Sequence, residues 1–126
     1  MALFHVWFST KGRKPILVED LKDLVLSEFQ RLAKVAEVKV VESAAEYDHI
    51  HLLLRLKDQN DLPDVMHLLK GSSSRSVTLR FRELRDEMGR SFWQKSYGWR
   101  PVPEDQVEVV RHYIRTQGQR PVRHVD

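Results

Sequence analysis

The sequence His49-Ile50-His51 has the residue types and spacing that point most directly to chemistry. Side chains alternate between the two faces of a strand, so histidines separated by one residue project from the same face. Two parallel imidazoles on a rigid strand form a natural pair of metal ligands. The same pattern also suits one hydrogen-bonded histidine and one at the sheet surface, so the rest of the chain must decide between the two interpretations.

The chain contains no cysteine. Disulfides, thiolate catalysis and cysteine metal sites are therefore excluded. A metal on this chain is held by nitrogen and oxygen ligands, which suit Mg²⁺ or Mn²⁺ as well as zinc. Glu42, Glu46 and Asp48 lie close to the histidines in sequence, where they either add a ligand, orient an imidazole, or remain surface carboxylates of a hairpin.

Tyr113 and Gln117 lie four residues apart on the last predicted helix, so one stands above the other on its surface. The Gln117 carbonyl can supply an oxygen ligand to a metal held by His49 and His51. Tyr113 would then sit one turn away. A phenol with a pKa of about 10 is a weak nucleophile at neutral pH, unless a metal neutralises the charge that develops on a phosphodiester. The hypothesis is a covalent phosphotyrosine and a free 3′-hydroxyl, a step that can run backwards to rejoin DNA.

The positive charge of the chain suggests a polyanionic partner. The formal net charge is +3, and the sequence pI is about 9.3. The segment 70–75 places small hydroxyl residues between two cations, with Gly71 permitting close approach of another backbone. Segment 70–75 either lines a nucleic-acid backbone or forms a solvated helix face beside a packing contact. The basic turn at 11–15 is equally compatible with a phosphate contact and with a solvated loop. The residues predicted to contact DNA are Lys11, Arg13, Lys14, Lys70, Ser73, Arg75, Lys95, Arg111 and Arg115.

The elements that must position these residues follow from periodicity and composition. We predict strands over 2–10 and 38–45, a strand beginning at His49, a strand region at 92–102, and helices over 20–36, 61–80 and 104–117, the last ending at Gly118. Residues 82–91 are expected to form a charged loop or frayed helix end. Aromatics at 92–102 either stack on bases or lie in the core, and we expect Phe92 and Trp93 to be buried.

This order of elements predicts an α+β, ferredoxin-like split βαβ fold, with an antiparallel sheet and helices packed on one face. At 126 residues the chain is expected to form a single domain over 1–126. No apolar run has membrane-spanning length and no signal peptide precedes the first strand, so a cytoplasmic protein without a membrane partner is expected.

Five short motifs, in their order and spacing, resemble the single-tyrosine transposases of the HUH (His-hydrophobe-His) superfamily. These are the IS200-like enzymes of small insertion sequences. The motifs are FHVWFSTKGRKP at 4–15, DHIHLL at 48–53, LKGSSSR at 69–75, WQKSYG at 93–98 and YIRTQ at 113–117. The chain is also similar to the transposases associated with repetitive extragenic palindromes (REP). It departs from the pattern at Ser96 and Trp99, where relatives more often carry a glycine and a smaller or aliphatic residue.

The resemblance implies that His49, His51 and Gln117 ligate Mg²⁺ or Mn²⁺ and that Tyr113 is the nucleophile. It also implies single-stranded DNA folded into a hairpin as substrate, and often a homodimer. In such a dimer the tyrosine helix of one subunit can serve the histidine pair of the other, whereas the palindrome-associated relatives can act as monomers. The enzyme would cut and rejoin single-stranded DNA through a 5′-phosphotyrosine intermediate.

Three alternatives bear on this interpretation. A histidine-triad nucleotide hydrolase is rejected because the third alternate position is Leu53. A domesticated, non-cutting single-stranded nucleic-acid-binding protein of the same fold remains the main alternative function. A structural dimerisation domain is the third, and it would leave Tyr113, Gln117 and the histidine pair unconnected in space.

Overall fold

The computed structural model describes residues 1–89 and 91–117. The strands are Ala2–Ser9 (β1), Lys39–Ala45 (β2), His49–Leu56 (β3) and Gly98–Pro101 (β4), and the helices are Glu19–Val35 (α1), Leu62–Arg80 (α2), Arg82–Met88 (α3) and Val107–Gln117 (α4). The predicted strands and helices are confirmed within a few residues. The two departures are a short helix, α3, in the expected loop, and a final strand confined to four residues. The expected helix end at Gly118 lies outside the described residues.

The strands form one antiparallel sheet in the order β2-β3-β1-β4. The pairing of Ala45 with Ile50 confirms that β2 and β3 form the expected hairpin. The long pairing of β1 with β3 places β1 in the interior of the sheet. This strand order, with a helix after β1 and another after β3, is the split βαβ arrangement, so the α+β ferredoxin-like prediction is confirmed.

Apolar residues are buried on both faces of the sheet. Ile50, Leu52 and Leu54 belong to the larger core cluster, which also contains buried residues of α1 and α2. Leu53 points the other way and packs with Val110 and Ile114 of α4. The helices α1 and α2 thus share one face as predicted. The structure corrects the position of α4, which covers the opposite face because its apolar stripe has Leu53 and its neighbours as partners.

The packing of α2 contradicts one interpretation of the segment 70–75. Ser73 and Ser74 are buried, and Ser76 donates a hydrogen bond to Glu28 of α1. Gly71, in contrast, faces open space: a Cβ atom added there would meet nothing within 4 Å. The prediction that Gly71 admits another backbone is therefore wrong.

Within the described residues, no helix is both long and apolar enough to cross a membrane.

Gly71→Ala should consequently stabilise the protein. Alanine costs less conformational entropy than glycine in a helix interior, by about 0.5–1 kcal/mol. We expect the melting temperature to rise by roughly 2–5 °C, measured by calorimetry. An equal or lower melting temperature would show that Gly71 makes a close contact after all.

Candidate active site

The predicted catalytic side chains gather on the sheet face beneath α4. His51 pairs with Ala44 of β2 on one side and with Trp7 of β1 on the other. Directly paired residues of antiparallel strands point to the same face. Leu53, two residues further along β3, pairs in the same way with His5. This face therefore presents imidazoles from both central strands.

The phenol of Tyr113 stands over this group. Its ring centroid lies 5.9 Å from that of His51 and 5.9 Å from that of His5, and both contacts are edge to face. The side chain remains 40% exposed, so a large substrate can reach it. Gln117, one turn later on α4, is buried. The sequence prediction that Tyr113 meets the histidines is consistent with this geometry, whereas a purely structural dimerisation domain is not favoured by it.

His5 is a member of the site that sequence reasoning missed. Its Nε2 lies 3.0 Å from Nδ1 of His51, so the two imidazoles share a hydrogen bond whose donor is set by their tautomers. Burial, with a smaller contribution from the charge of Arg100, lowers the pKa of His5 to about 4. Burial, together with the nearby charges of His49 and His5, lowers the pKa of His51 to about 3. Both rings are therefore neutral at neutral pH.

His49 is held by carboxylates on both ring nitrogens. Its Nδ1 lies 2.7 Å from Oδ1 of Asp48 and its Nε2 lies 3.1 Å from Oε2 of Glu46. Its ring centroid is 5.0 Å from that of His51. Asp48 and Glu46 thus orient His49, which is one of the roles that the sequence left open for them. Glu42, the third carboxylate considered, instead accepts hydrogen bonds from Arg115.

This donor set contains nitrogen and oxygen atoms of the kinds that ligate divalent cations, but too few of them for a complete site. A neutral imidazole is the form that ligates metals, and burial keeps His51 in that form. Carboxylate oxygens of Asp48 and Glu46 lie beside His49. No group of three or more His, Asp or Glu side chains in residues 1–89 and 91–117 is arranged to hold a metal ion. The described histidines and carboxylates are therefore an incomplete set, which the Gln117 amide would have to extend.

The basic turn after β1 is held in place by one hydrogen bond and two ion pairs. Lys11 donates to the carbonyl of Met88 at 3.2 Å. Arg13 pairs with Asp48 at 3.3 Å, and Lys14 pairs with Glu87 at 2.6 Å. Exposed pairs of this kind contribute only about 0–1 kcal/mol, so a phosphate can replace the carboxylate at modest cost.

The ammonium group of Lys70 binds backbone carbonyls of the protein itself. Its Nζ donates to the carbonyls of Gln94, Lys95 and Ser96 at 2.5, 3.1 and 3.1 Å. Burial lowers the pKa of Lys70. The ammonium therefore fixes the segment that carries Lys95. Arg75 and Lys95 are exposed along a cavity of about 750 Å³ between α2 and this segment.

Ser73 is fully buried, so its side chain is not accessible to DNA. Its hydroxyl accepts a hydrogen bond from Nε1 of Trp93 at 2.9 Å and donates one to the carbonyl of Lys70 at 3.2 Å. The prediction of a DNA contact is wrong for this residue, because the small hydroxyl lies on the inward stripe of α2 where a buried indole needs an acceptor.

Ser73→Ala should therefore destabilise the fold. The indole N–H of Trp93 would stay buried without its acceptor, at a cost of about 1–3 kcal/mol. Urea unfolding measures this loss, with Ser72→Ala as the matched control on the less buried side of the same helix. Equal stabilities of the two variants would contradict the structural role of Ser73.

Arg111 and Arg115 link α4 to the edge strand β2. Arg115 donates to Oε1 of Glu42 at 3.0 and 2.9 Å. Nη1 of Arg111 lies 3.3 Å from Oε1 of Glu108, and Nε of Arg111 lies 3.9 Å from Oε1 of Glu42. Both arginines thereby hold the tyrosine helix against the sheet. Arg115 remains exposed and open to a phosphate.

Residues 2–117 match the model of the family described as transposase IS200 like. The ISDra2 transposase TnpA of Deinococcus radiodurans is 28% identical over 115 residues, covering 90% of this chain and 82% of that protein. The transposase for insertion sequence element IS200 of Salmonella typhimurium is 27% identical over 115 residues, covering 90% of this chain and 75% of that protein.

Two solved structures share the fold. A transposase structure from D. radiodurans R1 superposes with a TM-score of 0.75 at 28% identity, covering 93% of this chain and 92% of that one. The REP-associated tyrosine transposase bound to a REP hairpin superposes with a TM-score of 0.71 at 10% identity, covering 92% of this chain and 66% of that one. The second likeness supports the fold alone. Since the family match spans almost the entire described chain, this protein belongs to the IS200-like transposase family.

Proposed function

We propose that this transposase cuts and rejoins single-stranded DNA at or near hairpins, through a covalent 5′-phosphotyrosine on Tyr113. The observation that carries the proposal is the contact of Tyr113 with His51, whose ring centroids lie 5.9 Å apart within one chain. A half-exposed phenol beside neutral imidazoles places a nucleophile next to candidate metal ligands. The chain acts as one HUH endonuclease domain over 1–126 in the cytoplasm.

His49, His51 and Gln117 would hold Mg²⁺ or Mn²⁺. The bound cation would neutralise charge on the non-bridging oxygens of the phosphodiester. If His51 presents Nε2, its Nδ1 carries the proton and donates to Nε2 of His5, so His5 fixes the useful tautomer. Of the two carboxylates on His49, one would restrain the ring in the same way, and the other would give up its ring nitrogen to the metal.

The covalent step exchanges one phosphoester for another. Tyr113 loses its phenolic proton to solvent and its oxygen bonds to phosphorus. The bond from phosphorus to the 3′-oxygen breaks, and that oxygen takes up a proton to become a free 3′-hydroxyl. Because the phosphoester is conserved, a 3′-hydroxyl can attack the phosphotyrosine and restore a continuous strand.

The exposed cations would bind the DNA backbone. Arg75, Lys95 and Arg115 are exposed, and the basic turn supplies Lys11, Arg13 and Lys14. Arg111 and Lys70 act mainly by holding α4 and the segment 94–96 in place. A hairpin substrate is part of the proposal because the resemblance to the family implies it. A homodimer is part of the proposal, although Tyr113 meets His51 within a single chain.

A denaturing gel tests this function. The protein is incubated with Mn²⁺ and labelled single-stranded hairpins drawn from the flanks of its own gene. A slowly migrating band that disappears with protease is the expected phosphotyrosine adduct. Bound DNA without any band would favour the alternative, a domesticated protein of the same fold that binds single strands without cutting them.

A further inference from the structure

Trp7 is an aromatic side chain at the edge of the candidate site that the reaction described above does not use. It lies on β1, on the face of the sheet that also carries His5 and His51. Its ring centroid is 5.0 Å from that of His5, which in turn contacts Tyr113. The side chain is 37% exposed although it lies on an interior strand.

Gly98 makes room for the indole. It is the direct partner of Trp7 on β4. A Cβ atom on Gly98 would lie 2.2 Å from Cε2 and 2.2 Å from Nε1 of Trp7, closer than real contacts allow. The indole therefore lies directly on the glycine backbone, which supports one side of the ring.

Positive charge borders the exposed ring. Arg100, two residues beyond Gly98 on β4, pairs with His5 and so shares its face. It is exposed to solvent. An aromatic surface beside a cation is the arrangement by which proteins hold single-stranded nucleic acid: bases stack on the ring while phosphates meet the charge.

We propose that Trp7, supported by Gly98, is a stacking platform for a nucleobase of the single-stranded DNA, beside the nucleotide whose phosphate reacts with Tyr113. This inference rests on the proposed function, because it assigns a subsite to the same substrate. Arg100 contacts the phosphate of the nucleotide whose base stacks on Trp7. A base held on the indole would lock the strand next to the phenol and restrict the position of the cut.

The chain offers a matched control for this ring. Trp99 is the neighbour of Gly98 on β4 and is 43% exposed. It pairs with Val6 and contacts Phe4 edge to face, so it lies on the opposite face of the sheet. Trp99→Leu removes an exposed indole of the same strand pair without touching the candidate site.

The experiment compares two probes of equal charge: an oligothymidylate and an abasic oligonucleotide of the same length. Binding is measured by fluorescence anisotropy at fixed salt, with Tyr113→Phe in every protein so that no strand is cut. Trp7→Leu should bind the oligothymidylate about 5- to 150-fold more weakly, the equivalent of one lost base stack, and the abasic probe with unchanged affinity. Gly98→Ala should likewise lose the preference for the oligothymidylate over the abasic probe, because its methyl group displaces the indole. Trp99→Leu should keep it.

The outcomes separate the subsite from the function. If Trp7→Leu binds the oligothymidylate as tightly as its parent, or weakens both probes equally, the platform is overturned, whatever the adduct gel shows. If the preference depends on Trp7 but no hairpin ever yields an adduct with the intact Tyr113, the platform stands and the transposase chemistry fails. Thermal melting of each variant identifies any loss of affinity that comes from unfolding.

Discussion

Tyr113→Phe is expected to abolish the covalent DNA adduct while leaving DNA binding within about twofold of the parent, since only the reacting oxygen is removed. The ring keeps its edge-to-face contacts with His5 and His51, which do not involve the hydroxyl. The helix that carries it keeps its packing through Val110 and Ile114. The adduct is measured on a denaturing gel and binding by anisotropy on the same hairpins.

Tyr47→Phe is the matched control. Tyr47 is 42% exposed and lies two residues before His49, so it is the other tyrosine that sequence alone places near the histidines. The adduct should persist in Tyr47→Phe with unchanged yield. A band that persists in Tyr113→Phe and disappears in Tyr47→Phe would move the nucleophile to the loop between β2 and β3 and refute the assignment.

The local pattern of the sequence predicted the four strands and the three longer helices, yet it did not place α4. A helical stripe such as Val110 and Ile114 shows that one side is buried, not which surface buries it. In the run Leu52, Leu53, Leu54, the first and third side chains are buried on one face of β3 and the second on the other face. Burial on both faces requires helices on both sides of the sheet, and α4 packs on the face that carries Leu53.

Long-range pairing explains why His5 was missed. In sequence it is one histidine in an aromatic strand, and its meaning depends on β1 lying beside β3 with His5 opposite Leu53. That register brings its Nε2 within 3.0 Å of His51. The His49/His51 pair was recognisable because both members lie on one strand, where periodicity alone determines their common face.

At Ser73 and Lys70 the structure shows internal partners that the sequence did not reveal. Sequence reasoning treats a hydroxyl and an ammonium as surface donors, because such groups are seldom buried. Ser73 is buried as the acceptor of the Trp93 indole, and Lys70 closes a loop through three carbonyls. These four partners lie 20 to 26 residues away on the segment after α3, so no local pattern could have shown them. The exposed Arg75, in contrast, keeps its predicted role as a proposal.

His49→Ala is expected to weaken Mn²⁺ binding by at least about tenfold, because loss of even a supporting partner of a ligand costs that much in comparable sites. His49 is the better test position than His51. It is half-buried and held by the carboxylates of Asp48 and Glu46, whereas His51 is buried and bonded to His5. Its removal therefore tests the metal with less risk to the core. Calorimetric titration of the protein without DNA measures the affinity.

The matched control is His67→Ala, which removes an exposed imidazole of α2 on the other side of the sheet. It should bind Mn²⁺ as the parent does. If both variants lose affinity equally, the titration reports scattered surface imidazoles and no specific site. If neither loses affinity, the metal lies elsewhere and the assignment of His49 as a ligand is refuted.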